Sequence, residues 1–113
     1  MTKSFYNSTS GNGDITGDSE NHGTVVAEIV HDVAPDAQLY LINFNTVVGL
    51  SKAVDYVISK GVKIINHSMS WIGSSPYDGT GDICDIAEDA LNNGVLWVNS
   101  AGNHRNKHYE AGD

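Results

Sequence analysis

Ile83-Cys84-Asp85-Ile86-Ala87-Glu88-Asp89-Ala90-Leu91-Asn92-Asn93-Gly94-Val95-Leu96-Trp97-Val98-Asn99-Ser100 reads as two halves joined by a turn. Ile83, Ile86, Ala87, Ala90 and Leu91 recur at the three- and four-residue spacings that line one face of a helix. Asn93-Gly94 stops that helix, because glycine takes the left-handed conformation of a helix end at no steric cost. Val95 to Ser100 then runs as an apolar strand. A helix passing at once into an apolar strand is the repeating piece of an α/β fold.

Working upstream, the same piece recurs. Ser51 can cap a helix that buries Val54, Val57 and Ile58, Gly61 ends it, and Val62-Lys63-Ile64-Ile65-Asn66-His67 forms a strand. Before that, a helical pattern starts at Asn21 and places Val25, Val26, Ile29, Val30 and Val33 on one face until Ala34-Pro35. Leu39-Tyr40-Leu41-Ile42-Asn43-Phe44 follows as a buried strand. Helices alternating with near-continuous apolar strands predict a three-layer α/β fold, a parallel sheet flanked by helices with right-handed crossovers. Residues 1–20, rich in Gly, Ser, Asn and Asp, read as a flexible polar arm, residues 21–104 as the domain, and residues 105–113 as a polar tail.

Composition narrows the function. With 113 residues the chain is one domain at most, or part of a larger one. Lys and Arg number 6 against 14 Asp and Glu, a formal charge of -8 that repels phosphate backbones and argues against a nucleic-acid partner. The single cysteine, Cys84, rules out an intrachain disulfide and any zinc site needing two cysteines, and reads as a small core residue. No apolar run approaches the ~20 residues of a membrane-spanning helix, so no membrane association is expected. Met1-Thr2-Lys3-Ser4 opens no signal-peptide core.

In a parallel α/β sheet, helix N-termini and strand C-termini share one edge, where ligands bind. That edge collects His22-Gly23-Thr24, Asn43 and Asn45, Ser68-Met69-Ser70, and Ser100-Ala101-Gly102-Asn103. A histidine in a helix's first turn suits a general base, Gly23 beside it leaves room for a backbone to approach, and the Thr24 hydroxyl can satisfy an orphan N–H of that turn.

Asn21-His22-Gly23-Thr24-Val25-Val26-Ala27 resembles the histidine signature of subtilisin-like serine proteases. Ile64-Ile65-Asn66-His67-Ser68-Met69-Ser70 is similar to the strand that pairs with substrate in that family, and Val98-Asn99-Ser100-Ala101-Gly102-Asn103 resembles the strand ending in its oxyanion asparagine. The resemblance spans about Asn21 to Asn103. It implies a serine endopeptidase, with His22 as base, Asn103 as a neutral amide donor to the oxyanion, and a polypeptide substrate lying against Ser68, Met69, Ser70, Ala101 and Gly102. It also implies an extracellular or cell-envelope address. Departures stand at Val25 and Glu28, in place of a second His and a Gly, and at Ser70-Trp71, in place of Gly-Gly, where they would narrow a substrate pocket.

The remaining triad members are not found. No segment resembles the family's Gly-Thr-Ser-Met-Ala nucleophile stretch, which is expected beyond Asp113. Asp14 and Asp18 lie in the polar arm, with no strand read before Asp14-Ile15-Thr16-Gly17 to fix a carboxylate. The expectation is therefore an internal piece of a catalytic domain, inactive alone, whose exposed strand edges invite self-association. Family members commonly bind calcium, but Asp32-Val33-Ala34-Pro35-Asp36 is no ligand-rich loop, so no cofactor and no metal are expected. Rival readings are a metal site at His104, His108, Glu110 and Asp113, a phosphate loop at Gly11-Asn12-Gly13-Asp14 that lacks a strand, a helix and a Lys, and a non-catalytic peptide-binding module on a protease-like fold.

Overall fold

The computed structural model describes residues 3–7, 11, 13, 22–71 and 80–103. Along the chain it runs β1 (Lys3–Asn7), α1 (His22–Val33), β2 (Leu39–Asn43), α2 (Val47–Ser59), β3 (Ile64–His67), α3 (Asp82–Asn92) and β4 (Leu96–Asn99). The order is α/β, and both strand pairs are parallel, β1 with β2 and β3 with β4. Two compact units, residues 1–55 and 56–113, divide the chain within α2.

In the first unit, β1 pairs in register from Lys3 opposite Leu39 to Asn7 opposite Asn43. This corrects the reading of residues 1–20 as an arm without regular structure, and the reading that no strand precedes Asp14 or Gly11. Phe5 and Tyr6 are neighbours rather than alternating residues, so five positions carry no period; the strand is defined by its partner β2. Asp14 and Asp18 themselves lie outside the described residues. Helix α1 begins and ends where expected, but Val25, Ile29 and Val33 of its apolar stripe are exposed, Val33 by 82 %. Val26, Ala27 and Val30 are the half-buried side. β2 is likewise half-buried along its whole length, where a buried strand was expected.

Helix α2 starts four residues before Ser51. Its cap is Thr46, whose hydroxyl accepts the Gly49 N–H at 2.9 Å while its carbonyl accepts the Leu50 N–H at 2.9 Å. The β-branched Val47 and Val48 and the following Gly49 have low helix propensity, which hides this first turn in the sequence. Leu50, Ala53, Val54 and Val57 are buried at positions i, i+3, i+4 and i+7, the spacing of a single core stripe, while Ile58 is half-buried.

In the second unit, both strands are launched from the same kind of helix end. Gly61 N–H donates to Ile58 C=O and Val62 N–H to Val57 C=O; Gly94 N–H donates to Leu91 C=O and Val95 N–H to Ala90 C=O. These are paired Schellman turns, and they require the positive φ found at Gly61 (69°) and Gly94 (79°). Ala90 and Val95, the residues such a turn brings together, are both buried. β3 and β4 then pair from Ile64 opposite Leu96 to His67 opposite Asn99, with α3 packed on β4. The strands are not buried on both faces as their apolar run predicted. Ile65, His67 and Trp97 form the more buried face, whereas Ile64, Leu96 and Val98 are exposed.

Candidate active site

Strands β3 and β4 end side by side, and their tips carry most of the residues singled out from sequence. The ladder closes with Ser100 N–H donating to His67 C=O at 3.1 Å. Beyond it, the Met69 carbonyl faces β4 and accepts from Ser100 Oγ (3.3 Å) and from Asn99 Nδ2 (3.4 Å), both long bonds. The Ser68 hydroxyl accepts from Asn66 Nδ2 at 3.0 Å. On the neighbouring tip, Ala101, Gly102 and Asn103 are exposed, and Gly102 at φ 82° turns the chain into Asn103.

Beneath these tips sits a polar cluster that the sequence did not announce. His67 is 5 % exposed, and its Nδ1 lies 2.7 Å from Asn99 Oδ1. Trp97 Nε1–H donates to the same oxygen at 3.1 Å, and Asn99 Nδ2 donates to the Ser100 carbonyl at 2.8 Å. Donors thus surround Oδ1 and acceptors surround Nδ2, which fixes the orientation of the Asn99 amide. With Oδ1 an acceptor, Nδ1 carries the imidazole proton, leaving Nε2 to accept the Trp71 indole N–H at 3.4 Å. The His67 and Trp71 rings are nearly parallel, with 9° between their planes and centroids 6.5 Å apart. Trp97 lies tilted at 40° against the imidazole, centroids 5.2 Å apart. Burial is the larger influence on His67 and lowers its pKa from the ordinary 6.5, while the bond to Asn99 pulls the other way.

His22 is the first residue of α1, exposed, and belongs to the unit of residues 1–55; Ser68, Met69, Ser70, Ala101, Gly102 and Asn103 belong to the unit of residues 56–113. Cys84 is a free, half-buried thiol on α3. His104, His108, Glu110 and Asp113, the rival metal ligands, lie outside the described residues. Among the described residues no three His, Cys, Asp or Glu side chains gather as a group that could hold a metal ion. Among them, too, no helix is long and apolar enough to cross a membrane.

The Peptidase_S8 family model, the subtilase family, matches residues 2–113. The chain belongs to the subtilase family. No curated protein matches it. The match takes in β1 and the residues around Asp14 as well as the span from Asn21 to Asn103 on which the resemblance rested. Subtilases are serine-type peptidases, and the parallel α/β units of this subtilase agree with that assignment. The His67, Asn99, Trp71 and Trp97 cluster carries no local sequence signal, because its members come together only across β3 and β4. His67 and Asn99 meet because β3 and β4 pair with these two residues opposite one another, which the sequence alone does not give.

Proposed function

We propose that this chain supplies part of the catalytic apparatus of a serine endopeptidase working by a Ser-His-Asp mechanism. His22 serves as general base and Asn103 as oxyanion donor, with a polypeptide substrate pairing as a strand along Ser68-Met69-Ser70 and Ala101-Gly102. The observation that carries the reading is the direction of the Met69 carbonyl. That carbonyl is turned toward β4, where it accepts from Ser100 Oγ and Asn99 Nδ2, which supports reading Ser68-Met69-Ser70 as a continuation of β3 beside the tip that bears Asn103. Asn103, just past Gly102 on the adjoining tip, is a fixed neutral donor of the kind that meets charge only when a carbonyl is attacked.

This reading assigns the nucleophilic serine and the orienting aspartate to no residue of the chain, and it expects the chain alone to turn over no substrate. Incubation with casein or a peptide anilide, with and without a serine-directed inhibitor, tests this; inhibitor-sensitive hydrolysis by the chain alone would refute it. In the active protein, Asn103→Ala should lower kcat by about 100- to 1000-fold with little change in KM, a magnitude established on a subtilisin and carried over to this relative. An unchanged kcat would remove Asn103 from the oxyanion hole. The same reading expects self-association through the sheet edges, seen as a concentration-dependent shift on size exclusion; a monomer at every concentration rejects it.

A further inference from the structure

We propose that His67 is a positioning residue for the peptide-pairing edge, fixing the Ser68–Ser70 segment against the strand tip that bears Asn103. This rests on the reading of that edge given above. The backbone ladder between β3 and β4 closes at Ser100 N–H to His67 C=O, and past that point the tips are joined through Met69 C=O by the Asn99 amide and the Ser100 hydroxyl. Which way the Asn99 amide points therefore decides whether its Nδ2 can reach Met69.

His67 settles that orientation. Its Nδ1–H bond to Asn99 Oδ1, at 2.7 Å the shortest in the cluster, holds the oxygen inward and the Nδ2 toward Ser100 and Met69 carbonyls. Rotating the amide by half a turn would set Nδ2 against both Nδ1–H and the Trp97 indole N–H, donor against donor. The ring itself is buried and cannot swing out to water. Its other nitrogen accepts from Trp71, so the residue just before the Ser68–Ser70 segment and the residue just after it are bonded to each other. The segment is bracketed by one imidazole, and only the Nδ1–H tautomer serves both partners at once. Leucine of similar bulk would keep the packing and lose both bonds; asparagine at 67 could still give an amide N–H to Asn99 Oδ1.

The test uses the full chain, isotopically labelled, with wild type, His67→Leu and His67→Asn. Long-range proton–nitrogen spectra of wild type should show His67 in the Nδ1–H tautomer alone; an Nε2–H form or a mixture overturns the proposal without any variant. In His67→Leu, the Ser100 amide should exchange about tenfold faster, while the Val57, Ala90 and Val95 amides keep their wild-type rates. Order parameters at residues 68–70 and 101–103 should fall toward ~0.6, and His67→Asn should restore both readings. Wild-type behaviour in His67→Leu, equal acceleration at Val57, Ala90 and Val95, or no restoration by asparagine each overturns the assignment. None of these readouts involves substrate or turnover, so a failure of the peptide-pairing reading leaves them standing, and their failure leaves that reading to its own test.

Discussion

Replacing Asn99 by leucine tests the part-buried hydrogen bond to His67. The side chains are of similar volume, so packing changes little, but Oδ1 disappears as acceptor for His67 Nδ1–H and Trp97 Nε1–H, and Nδ2 as donor to Ser100 and Met69 carbonyls. The Trp97 N–H lies at an exposed bond and can turn to water. His67, 5 % exposed, cannot. Moving the imidazole proton to Nε2 gives no escape, because that nitrogen faces the indole N–H of Trp71. Taking this acceptor away from a buried imidazole costs about 1–3 kcal/mol. With a urea dependence of about 1–3 kcal/mol/M for small proteins, the unfolding midpoint should fall by about 1 M. Tryptophan fluorescence is the natural probe, since Trp71 and Trp97 are the chain's 2 tryptophans and both bond within the cluster. Asn66→Leu, on the exposed side of β3, is the control and should shift the midpoint by less than about 0.3 M. Equal midpoints for the two variants would refute the account of the cluster.

Two further outcomes follow from burial. His67 has its pKa lowered by folding, so the unfolded chain binds its proton first as pH drops; the neutral ring's contribution is fully present above about 6.5 and is lost as pH falls from there toward the folded value. Urea midpoints of wild type should decline on acidification over that range more steeply than those of His67→Asn, and parallel declines would contradict the buried neutral imidazole. Leu50→Ala, at a site 3 % exposed, should cost about 2–5 kcal/mol in urea unfolding, against less than about 1 kcal/mol for Leu96→Ala, which is 54 % exposed.

What could be read from sequence was whatever is written locally. Gly61 and Gly94 announced two helix ends correctly because a left-handed residue leaves a chemical mark. The alternation of helix and strand, and the parallel pairing, followed from the apolar periods, and the subtilase assignment from the motifs at His22, Ser68 and Asn103. What failed depends on partners distant in the chain. β1 is a strand because Leu39–Asn43 lies beside it, not because Lys3–Asn7 has a pattern. The start of α2 is the local exception, since the low helix propensity of Val47, Val48 and Gly49 hides the turn that Thr46 caps. Exposure of Ile29 or Ile64 is invisible to periodicity, which marks the apolar face of an element but not what covers it. The His67 cluster required knowing that Asn99 stands directly opposite, which only strand register supplies.

The paired Schellman turns bear on how this unit can vary over time. Each fixes the point at which its strand begins, so the offset between β3 and β4, and with it the meeting of His67 and Asn99, is inherited from the turns at the far end. Side chains alternate with a period of two along a strand. A single residue added between Val95 and Leu96 would send Asn99 to the other face and bring Val98 into its place. Substitutions at the strand tips can be tried one at a time by selection, but a change of length at that turn alters every pair at once, so variation in this unit should accumulate as exchanges of residue at the tips and not as insertions at the turns.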